Sequence, residues 1–460
     1  MTSLITHEPR ARGGIRINHP ETVAREPGRG GQLLKDRGGA ADICNMRRLV
    51  VPSLVAALLS VAYGWAQLVG YVWTDYEAAN EVQFRALVHG DFATFFQMAS
   101  IEAPSMLLRA PFAFGSWIWG ASDMAIYRMV SVPGLLAGAV LAVVLFALRE
   151  RLQPKAGWGL AVVLLAAGNP VTLRALELSH PEELLGAALC IGAVLAALWQ
   201  RPYLAAILLG LAMANKAWAV LAIGPVLLAL EQCRWRVLTI AGAIGAVFVL
   251  PFFFAGDGAR TAVMTAGNTY GVFQPWQIWW PLGETGHVIR GMDGLAKADF
   301  RAAPTWLAPL AHPLIAFLVV PASLLWRRRR GVQAATPDIF LLLATLFLAR
   351  CVLDPANNVY YHLPFVLTLL TWEALQRARP PILTTVAVCL IWLTFQVAPG
   401  HLSPDAQWAV YVVWAVPALV ALAYATFRVP LPSVLTRVRE RVGARLAKLP
   451  AGPAGAEPAS

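Results

Sequence analysis

Long apolar segments recur along the chain from about residue 49 to residue 427, separated by shorter polar stretches. After a first segment at about 49–73, the others lie at about 124–148, 156–170, 183–199, 203–214, 217–230, 237–255, 305–326, 337–352, 359–374, 382–398 and 407–427. A helix perpendicular to a bilayer needs about 20 apolar residues to cross it, and several of these segments are shorter. The pattern predicts an all-α polytopic membrane protein, a bundle of about twelve transmembrane helices.

The composition supports this prediction. Of the 460 residues, 58% are hydrophobic and 14% are charged, and the mean hydropathy is +0.59. The formal net charge of +11 does not indicate a nucleic-acid partner, because most of the excess basic residues lie in the two tails and in short loops such as 327–330. There they set the topology and contact anionic lipid. We therefore expect membrane lipid as a partner, and no nucleic acid.

The basic residues also predict the domain organisation and the topology. Residues 1–45 are rich in Gly and Arg without helical periodicity and are expected to form a disordered cytoplasmic tail, and 428–460 form a second basic tail. Between them, 46–427 form the transmembrane domain. Nine Lys and Arg residues precede the first segment, which places the N-terminus in the cytoplasm. The expected location is the cell (plasma) membrane, with multiple passes and both termini cytoplasmic.

The remaining basic turns fit this orientation under one condition. The turns at 149–155, 201, 234–236, 327–330 and 377–379 are all cytoplasmic if 203–230 forms two helices that turn at Asn215-Lys216. A single helix there would place Arg234 and Arg236 outside. With the split, two long connections, about 74–123 and 256–304, face the outer side. The second is rich in aromatic residues, among them Tyr270, Phe273, Trp276, Trp279, Trp280 and Trp306.

The first outer loop begins with the form of a capping box. In Thr74-Asp75-Tyr76-Glu77 a threonine at the N-cap is followed by a glutamate three residues later. A helix from there is expected to run to Gly90, a typical residue just past a helix C-terminus. Its apolar side would carry Tyr76, Ala79, Val82, Ala86 and Leu87, and Glu81 and Arg85 would pair four residues apart on the other side. The pattern predicts an amphipathic helix along the membrane surface.

Asp75 has two interpretations. It is placed to stabilise the start of this helix through the helix dipole. It is equally an ionised carboxylate at the membrane boundary, of the kind that orients or deprotonates an acceptor hydroxyl. Glu77 is explained by the capping box alone. We expect no metal, because residues two apart in a helix face different ways, and because the five cysteines have no CxxC spacing.

The layout of short motifs resembles the GT-C superfamily of integral-membrane glycosyltransferases. An acidic residue after the first helix and a surface helix are followed by Ala110-Pro111-Phe112 and a second span. Further matching segments are Ser179-His180-Pro181-Glu182-Glu183, Gly210-Leu211-Ala212-Met213-Ala214-Asn215-Lys216-Ala217-Trp218, Asp354-Pro355 and Tyr360-Tyr361-His362-Leu363-Pro364. Within the superfamily the chain is most similar to bacterial polyprenyl-phosphate-mannose-dependent mannosyltransferases, over roughly residues 49–427. The expected fold is therefore a GT-C-like bundle with amphipathic helices in the first outer loop.

The resemblance implies an inverting transfer of a sugar, mannose or a related one, from a polyprenyl-phosphate donor. The acceptor would be a lipid or glycan on the non-cytoplasmic side, with Asp75 as the base. The double-acid pair of other branches is absent here, and no cofactor is expected. A lipid donor also has a physical reason, because an outer site has no access to cytosolic nucleotide sugars, and the chain has no Walker loop or GxGxxG motif.

Other residues are candidates for substrate contacts. Lys216 interrupts an apolar stretch and would bind a phosphodiester or extend to the headgroups, and Arg109, Arg174 and Arg350 are weaker cases. His180 and Glu182 lie at a helix start, and His362, at the outer end of a late span, would share proton handling with Asp75. Trp276 and Trp279 would stack on a sugar or belong to an interfacial aromatic belt.

Two other classes of function are open. A transporter or flippase of a lipid-linked sugar also needs intramembrane charge and aromatic contacts to sugar. The sequence shows no repeated halves and no paired broken helices, which are typical of transporters. A membrane anchor for an assembly complex would have no cleft with converging polar side chains.

Overall fold

The computed structural model describes residues 46–69, 75–98, 102–153, 157–257, 272–285, 300–331, 336–376 and 378–427. The expected tails at 1–45 and 428–460 lie outside the described residues. The α-helices are α1 (Met46–Val69), α2 (Asp75–Ala79), α3 (Glu81–Val88), α4 (Phe92–Gln97), α5 (Ala103–Ala113), α6 (Asp123–Leu152), α7 (Gly159–Ala167), α8 (Pro170–Glu177), α9 (Pro181–Leu198), α10 (Pro202–Asn215), α11 (Ile223–Ala229), α12 (Arg234–Ala255), α13 (Leu307–Phe317), α14 (Val319–Arg330), α15 (Ile339–Leu353), α16 (Leu363–Gln376), α17 (Ile382–Trp392) and α18 (Pro404–Phe427).

Shorter elements connect these helices. Turns of 3₁₀-helix lie at Phe114–Trp119, Ala217–Ala222, Trp280–Leu282, Val359–His362 and Ala398–Gly400, and Leu393–Val397 is a π-helical turn. Two short strands, β1 (Val272–Phe273) and β2 (Arg301–Ala302), pair antiparallel with Val272 opposite Ala302. Within the described ranges the protein is otherwise helical, as the apolar pattern predicted.

Eight helices of the described chain are long and apolar enough to cross a membrane. They are Arg48–Gln67, Asp123–Leu152, Gly159–Glu177, Pro181–Leu198, Arg234–Ala255, Pro309–Arg330, Ile382–Gly400 and Pro404–Phe427. Shorter apolar helices are Pro202–Asn215, Ala217–Ala229 and Ile339–Leu353. The multi-pass architecture is thus present, whereas the number of about twelve spans stays a prediction.

The most buried helices are α9, α15 and α16, whose side chains are almost all inside the bundle. Helices α1, α12 and α18 lie at the periphery, where Val61, Phe254 and Val413 are 70%, 76% and 73% exposed. Lipid tails are as apolar as these side chains, so their exposure is not costly in a bilayer. An apolar exterior of this kind is what a membrane protein requires.

One end of the bundle collects basic turns, and we call it the basic end. Arg149, near the end of α6, donates to the carbonyl of Ala374 in the last turn of α16 at 3.5 Å. It also donates to the carbonyl of Arg379, beyond the end of that helix, at 3.2 Å. Gln200, after α9, donates to the carbonyl of Ala229 at the end of α11 at 2.9 Å. Four arginines end α14, and the last of them, Arg330, pairs with an aspartate at the start of α15. That this end faces the cytoplasm stays a prediction.

We call the opposite end of the bundle the site end. The other termini of the helices meet there. Tyr127, in the second turn of α6, donates to the carbonyl of Leu176 in the last turn of α8. Ser105, at the start of α5, donates to the side chain of Asn215 at the end of α10 at 3.0 Å. The first outer loop therefore packs at the site end of the bundle.

The predicted turn at Asn215-Lys216 is confirmed. α10 ends at Asn215, and Lys216 is extended, with φ −151° and ψ 133°, before a 3₁₀-helical turn. The turn packs closely against α9 at Gly186, where a Cβ would lie 2.9 Å from Nδ2 of Asn215 and 3.1 Å from the ring of Trp218. A glycine is needed there because any side chain would displace one of these two groups.

The first outer loop differs in part from its prediction. The predicted single helix is two, because the chain turns at Asn80, whose side chain donates to Glu102 Oε2 at 3.2 Å. The predicted apolar side is correct for Tyr76 and Leu87 but wrong for Val82, which is 46% exposed. The turn rotates α3, so that other residues of α3, Gln83, Phe84 and Val88, are buried with Leu87.

The end of this loop helix is confirmed. Gly90 has φ 83°, and its N–H donates to the carbonyl of Leu87 at 3.0 Å, while the N–H of Asp91 donates to that of Ala86 at 2.9 Å. These two bonds form a Schellman motif. Arg85 pairs with Glu81, as predicted from their spacing, and also with an aspartate at the start of α6. The predicted N-cap, Thr74, lies outside the described residues.

The buried face of the loop packs against protein. The ring of Tyr76 lies 4.9 Å from that of Tyr127 on α6, and the guanidinium of Arg109 on α5 lies 5.7 Å from the ring of Phe84. A helix resting on the membrane surface would instead turn its apolar side to lipid. The amphipathic helices α2 and α3 therefore cover the site end of the bundle.

Candidate functional site

A tight chain reversal at the site end places His180. Ser179, between α8 and α9, has the left-handed φ of 68°. Its N–H donates to the carbonyl of Leu176 at 3.0 Å, and the N–H of His180 donates to that of Ala175 at 2.7 Å, which closes a Schellman motif. α9 begins at the next residue, Pro181. The backbone of His180 is therefore fixed from both sides.

The imidazole of His180 lies between two carboxylates. Nε2 is 2.9 Å from Oδ2 of Asp75, and Nδ1 is 2.7 Å from Oε1 of Glu182. Burial by itself lowers the pKa of His180, but the charges and hydrogen bonds of Glu182 and Asp75, with the charge of Glu102, outweigh it and raise the pKa to about 10. The ring is therefore an imidazolium at neutral pH. The sequence prediction assigned Asp75 to His362 as a proton-handling partner, whereas the structure brings it to His180.

Lys216 lies among three carboxylates. Its Nζ is 2.7 Å from Oε1 of Glu102, 3.1 Å from Oε1 of Glu182 and 3.9 Å from Oε1 of Glu183. Burial lowers the pKa of this ammonium, but the three carboxylates outweigh burial and raise it, so Lys216 is charged. Its expected contact with a phosphodiester stays a prediction, since the ammonium is already paired.

Two arginines complete the group. Arg109, 2% exposed, lies 3.5 Å from Oε2 of Glu182 and 3.9 Å from Oε2 of Glu102. Arg350, in the last turn of α15, lies 3.7 Å from Oε2 of Glu183. Its guanidinium is 4.2 Å from the ring of Tyr361 and 5.0 Å from that of Trp218. Arg174, the remaining arginine candidate, pairs with Glu177 on its own helix at 3.0 Å.

We call these residues the charged cluster: Asp75, Glu102, Arg109, His180, Glu182, Glu183, Lys216 and Arg350. With His180 protonated, it contains four carboxylates and four cations. Burying an unpaired charge costs several kcal/mol, on the order of 5, whereas paired and hydrogen-bonded charges offset most of that cost. The balance of charge therefore explains how so many ionised groups lie inside a membrane protein.

The exposure of the carboxylates differs within the charged cluster. The side chains of Glu182 and Glu183 are 0% and 1% exposed and that of Glu102 is 9% exposed, but the side chain of Asp75 is 41% exposed. Asp75 lies in the first turn of α2, as predicted. It is therefore the most accessible carboxylate of the charged cluster.

Three members of the charged cluster have the ligand types of a metal site. One ligand atom each from Glu102, His180 and Glu182 lie within 4.8 Å of one another. The Nζ of Lys216 lies 2.7 Å and 3.1 Å from two of these carboxylates, where it supplies the positive charge that a cation would bring. The ammonium group of Lys216 therefore already balances the two carboxylates, and we assign no metal ion to these three residues.

His362 lies in an aromatic pocket. It is 0% exposed, its Nδ1 is 3.1 Å from the carbonyl of Asn358 and its Nε2 is 3.4 Å from the hydroxyl of Tyr411. Phe395 and Trp414 pack beside it, with ring centroids 5.1 Å and 6.1 Å away. Among its described contacts none is to Asp75. The predicted sharing of proton handling between the two residues therefore has no geometric support here and stays a prediction.

The tryptophans of the second outer loop fix that loop to the bundle. Trp279 Nε1 donates to the carbonyl of Leu353 at 2.8 Å, and Trp276 packs against Phe395 at 5.6 Å. Trp280 Nε1 donates to a carboxylate at the start of α18 at 2.8 Å. The interpretation of Trp276 and Trp279 as sugar contacts stays a prediction. Tyr270 and much of this loop lie outside the described residues.

Sequence reasoning missed Glu102. It lies within the first outer loop, immediately before α5 and its Ala103-Pro104 start, so the available signal was that of a helix start. Its partner Lys216 is 114 positions away, and no periodicity connects them. The helix start predicted at His180 and Glu182 is confirmed, and Glu182 and Glu183 both lie in the first turn of α9. Only the packing of α5, α9, α10 and α15 shows that they also bind buried cations.

A scan against known protein families finds no matching family model, and a search of curated proteins finds no significant match. The resemblance to the GT-C superfamily therefore stays a prediction that rests on the layout of short motifs.

Proposed function

We propose that this protein is an integral-membrane glycosyltransferase that moves a sugar from a polyprenyl-phosphate donor to a lipid or glycan acceptor on the non-cytoplasmic side. The observation that carries the proposal is the position of Asp75. Its carboxylate is 41% exposed, at the rim of the buried charged cluster, and is hydrogen-bonded through one oxygen to His180. A fixed and accessible carboxylate is what activation of a hydroxyl acceptor needs.

In the proposed reaction Asp75 acts as the general base. The acceptor hydroxyl gives its proton to the carboxylate while its oxygen attacks the anomeric carbon of the donor. The bond from that carbon to the phosphate oxygen breaks, polyprenyl phosphate leaves with the electron pair, and the configuration at the carbon inverts. Asp75 then releases the proton to water. Base catalysis of this kind contributes about 10²–10⁴-fold in rate.

An apolar groove supports a lipid donor. It has a volume of about 400 Å³ and lies between α4 and the last turns of α12, lined mainly by Phe92, Ala93, Phe96, Pro251 and Phe254. Phe252 of the same turn of α12 packs into the first outer loop, 5.9 Å from the ring of a phenylalanine of α4. We propose that the isoprenoid chain of the donor lies along this groove, with its phosphate toward the site end. The groove faces the exterior of the bundle, where lipid enters without crossing polar surface.

The charge balance of the cluster limits the choice of phosphate ligand. Lys216 and Arg109 were the predicted ligands, and both already pair with buried carboxylates. For Lys216 to bind the donor phosphate, it would have to leave Glu102 or Glu182. We therefore propose Lys216 first as the counterion that keeps Glu182 ionised, and a substitution described in the Discussion separates the two roles.

The sidedness of the proposal has its own test. In a cysteine-free background, Ser403→Cys before α18 should react with a membrane-impermeant maleimide in intact cells, and Arg329→Cys at the end of α14 should not. Both side chains are exposed, so accessibility from each side decides the result. Labelling of Arg329→Cys from outside would reverse the orientation and place Asp75 in the cytoplasm.

A transporter or flippase of a lipid-linked sugar is the second candidate. The observation that favours it is the charge-balanced cluster itself, because paired ionisable groups inside a membrane domain are typical of coupled transport. A transporter changes the location of the sugar and leaves its bond to the phosphate intact.

One experiment distinguishes the two functions. Purified protein in liposomes is given radiolabelled polyprenyl-phosphate mannose, or another polyprenyl-phosphate sugar, with a membrane extract as the source of acceptor. A glycosyltransferase moves the label to a new lipid or glycan product, and Asp75→Asn lowers the rate of its formation by about 10²–10⁴-fold. Label that crosses the bilayer with its phosphate bond intact, without any new product, would refute glycosyl transfer.

A further inference from the structure

His180 is saturated by its two carboxylate partners. Nε2 contacts Asp75 at 2.9 Å and Nδ1 contacts Glu182 at 2.7 Å. A neutral imidazole has one N–H donor, so it can donate to one carboxylate, whereas an imidazolium donates to both. Neither ring nitrogen is left for a sugar or a phosphate. This arrangement differs from the sequence-based prediction that His180 and Glu182 contact substrate directly.

Glu182 is the buried anchor of this arrangement. Its side chain is fully buried, with Lys216 at 3.1 Å from one oxygen and Arg109 at 3.5 Å from the other. The side chain of Asn215 donates to the backbone carbonyl of Glu182 at 2.6 Å. The carboxylate is therefore fixed by groups from α5, α9 and α10. A rotation of Glu182 would remove one carboxylate from each of two buried cations, Lys216 and Arg109, which is costly.

The faces and the backbone of His180 are restrained as well. The ring of Tyr360 stacks on the imidazole with centroids 3.7 Å apart and an interplanar angle of 23°. The Schellman motif at Ser179 fixes the backbone immediately before it. The Nε2 of His180 thus has one direction available, which points at Asp75.

Asp75, unlike His180 and Glu182, is restrained by the protein on one side only. Only its Oδ2 contacts His180, and among the residues that the structure describes Oδ1 makes no hydrogen bond or ion pair. Its side chain is 41% exposed, compared with 8% for His180 and 0% for Glu182. One oxygen is therefore held by the protein while the other is open to the outside.

We propose that His180 and Glu182 are positioning residues that hold Asp75 through one oxygen and leave its other oxygen free to accept the proton of the acceptor hydroxyl. The order Asp75, His180, Glu182 runs from the exposed rim to the buried cluster. The proposal rests on the proposed function, because it assigns the two residues to the same base. It also changes their expected kinetic effect, since a positioning residue affects turnover and a substrate ligand affects binding.

The test compares two substitutions of His180 by an amide side chain. Each places its amide nitrogen where one of the two ring nitrogens lies. The amide nitrogen of His180→Gln reaches the position of Nε2 and can still donate to Asp75, whereas that of His180→Asn reaches only the position of Nδ1. We expect kcat of His180→Asn to fall by about 10²-fold, with KM for donor and acceptor within about 3-fold of wild type. His180→Gln should recover part of that loss. A role confined to folding predicts equal effects of both amides.

A double-mutant comparison tests whether His180 acts through Asp75. In an Asp75→Asn background, His180→Asn should lower the residual kcat by less than about 3-fold, because the group that it positions is already inactive. An independent, full 10²-fold loss in that background would overturn the proposal. So would a rise of donor or acceptor KM of more than about 10-fold with kcat unchanged, which would return His180 to substrate binding.

The adjacent glutamate provides the matched control. Glu183→Gln removes an equally buried carboxylate of the same helix that pairs with Arg350 and has no direct bond to His180 among the described contacts. Glu182→Gln should lower kcat more than Glu183→Gln at equal thermal stability. Equal losses in kcat would refute a specific connection from Glu182 to Asp75.

The pH profile is a readout that a folding role would not change. The groups that face His180 are Asp75, Glu102 and Glu182, with Lys216, Arg109 and Glu183 behind them and Tyr360 on its ring. Because the imidazolium loses its proton as the pH rises through about 10, wild-type kcat should fall there. The fall should be absent in His180→Gln. A profile that is the same in both proteins would contradict the proposal.

Failure of the proposed function would appear differently. Wild-type protein would then give no product with any donor, whatever the variants do. In that case the geometry is still testable by thermal unfolding of Asp75→Asn, His180→Asn and the double variant. Additive shifts in Tm would show that the two side chains are not coupled. Non-additive shifts would show that Asp75 and His180 interact although the proposed reaction does not occur.

Discussion

The substitution Asp75→Asn separates a catalytic carboxylate from a helix-capping one. Asparagine keeps the size and the hydrogen-bonding capacity of the side chain, and its amide oxygen can still accept from Nε2 of His180 at a distance near 2.9 Å. What is removed is the negative charge and the capacity to accept a proton. The perturbation is therefore chemical, and the geometry of the charged cluster should remain.

The stability cost follows from the exposure of Asp75. A hydrogen bond to a charged group contributes about 1.5–3 kcal/mol when buried, and exposed ion pairs contribute about 0–1 kcal/mol. With a side chain 41% exposed, Asp75 lies nearer the second case. The interaction with the dipole of α2 adds about 0.3–1 kcal/mol at most, and α2 is a helix of only five residues. We expect a total loss of about 1 kcal/mol, which leaves the protein folded.

The catalytic cost should be much larger. If the carboxylate deprotonates the acceptor, the amide cannot replace it, and kcat should fall by about 10²–10⁴-fold. The assay is transfer of radiolabelled sugar from polyprenyl phosphate in liposomes, at saturating donor and acceptor. The amount of folded protein is measured in parallel by thermal unfolding of the same preparation.

Glu77→Gln is the matched control. Glu77 lies two residues further along the same short helix and has no contact with His180 among the described residues. The kcat of Glu77→Gln should stay within about 3-fold of that of the wild type, since the substitution removes neither the proposed base nor a residue that positions it. A folded Asp75→Asn protein with near-normal kcat would remove Asp75 from the chemistry and leave it as a helix-start residue.

Three further substitutions test the cluster, the turn and the groove. Lys216→Met should lower kcat at least 10-fold with little change in donor KM if Lys216 is the counterion of Glu182, whereas a donor KM raised about 10-fold at unchanged kcat would make it a phosphate ligand. Gly186→Ala should lower stability by about 1–3 kcal/mol because its Cβ has no space, whereas Gly192→Ala, which faces only the flexible end of a leucine at 3.3 Å, should cost less in a thermal-unfolding comparison. Ala93→Trp should fill the groove and raise the KM for a long-chain donor without changing that for a short-chain one, and Ala246→Trp on the exposed side of α12 should change neither. Equal effects of these two tryptophans would remove the groove from donor binding.

Local signals in the sequence were sufficient to predict most of the helices and two of the turns. The apolar segments became helices at close to their predicted bounds, because a run of apolar side chains in a bilayer requires a backbone that satisfies its own hydrogen bonds. The turn at Asn215-Lys216 was predictable because a split there was needed to keep Arg234 and Arg236 with the other basic turns. The end of the helix at Gly90 was predictable from that one residue, because a glycine adopts a positive φ without steric cost.

The pairing of the charged residues depends on contacts between helices that are far apart in the sequence. Asp75 and His180 are 105 positions apart, and Lys216 and Glu102 are 114 positions apart. Periodicity and capping signals act over a few residues, so they locate each charged residue at a helix end without naming its partner. In a membrane protein the partner is set by the requirement that buried charges be neutralised, and this depends on which helix ends meet at one end of the bundle. For that reason the position of Asp75 at a helix start was predictable from the sequence, whereas its partner His180 and the contacts of Glu102 were not.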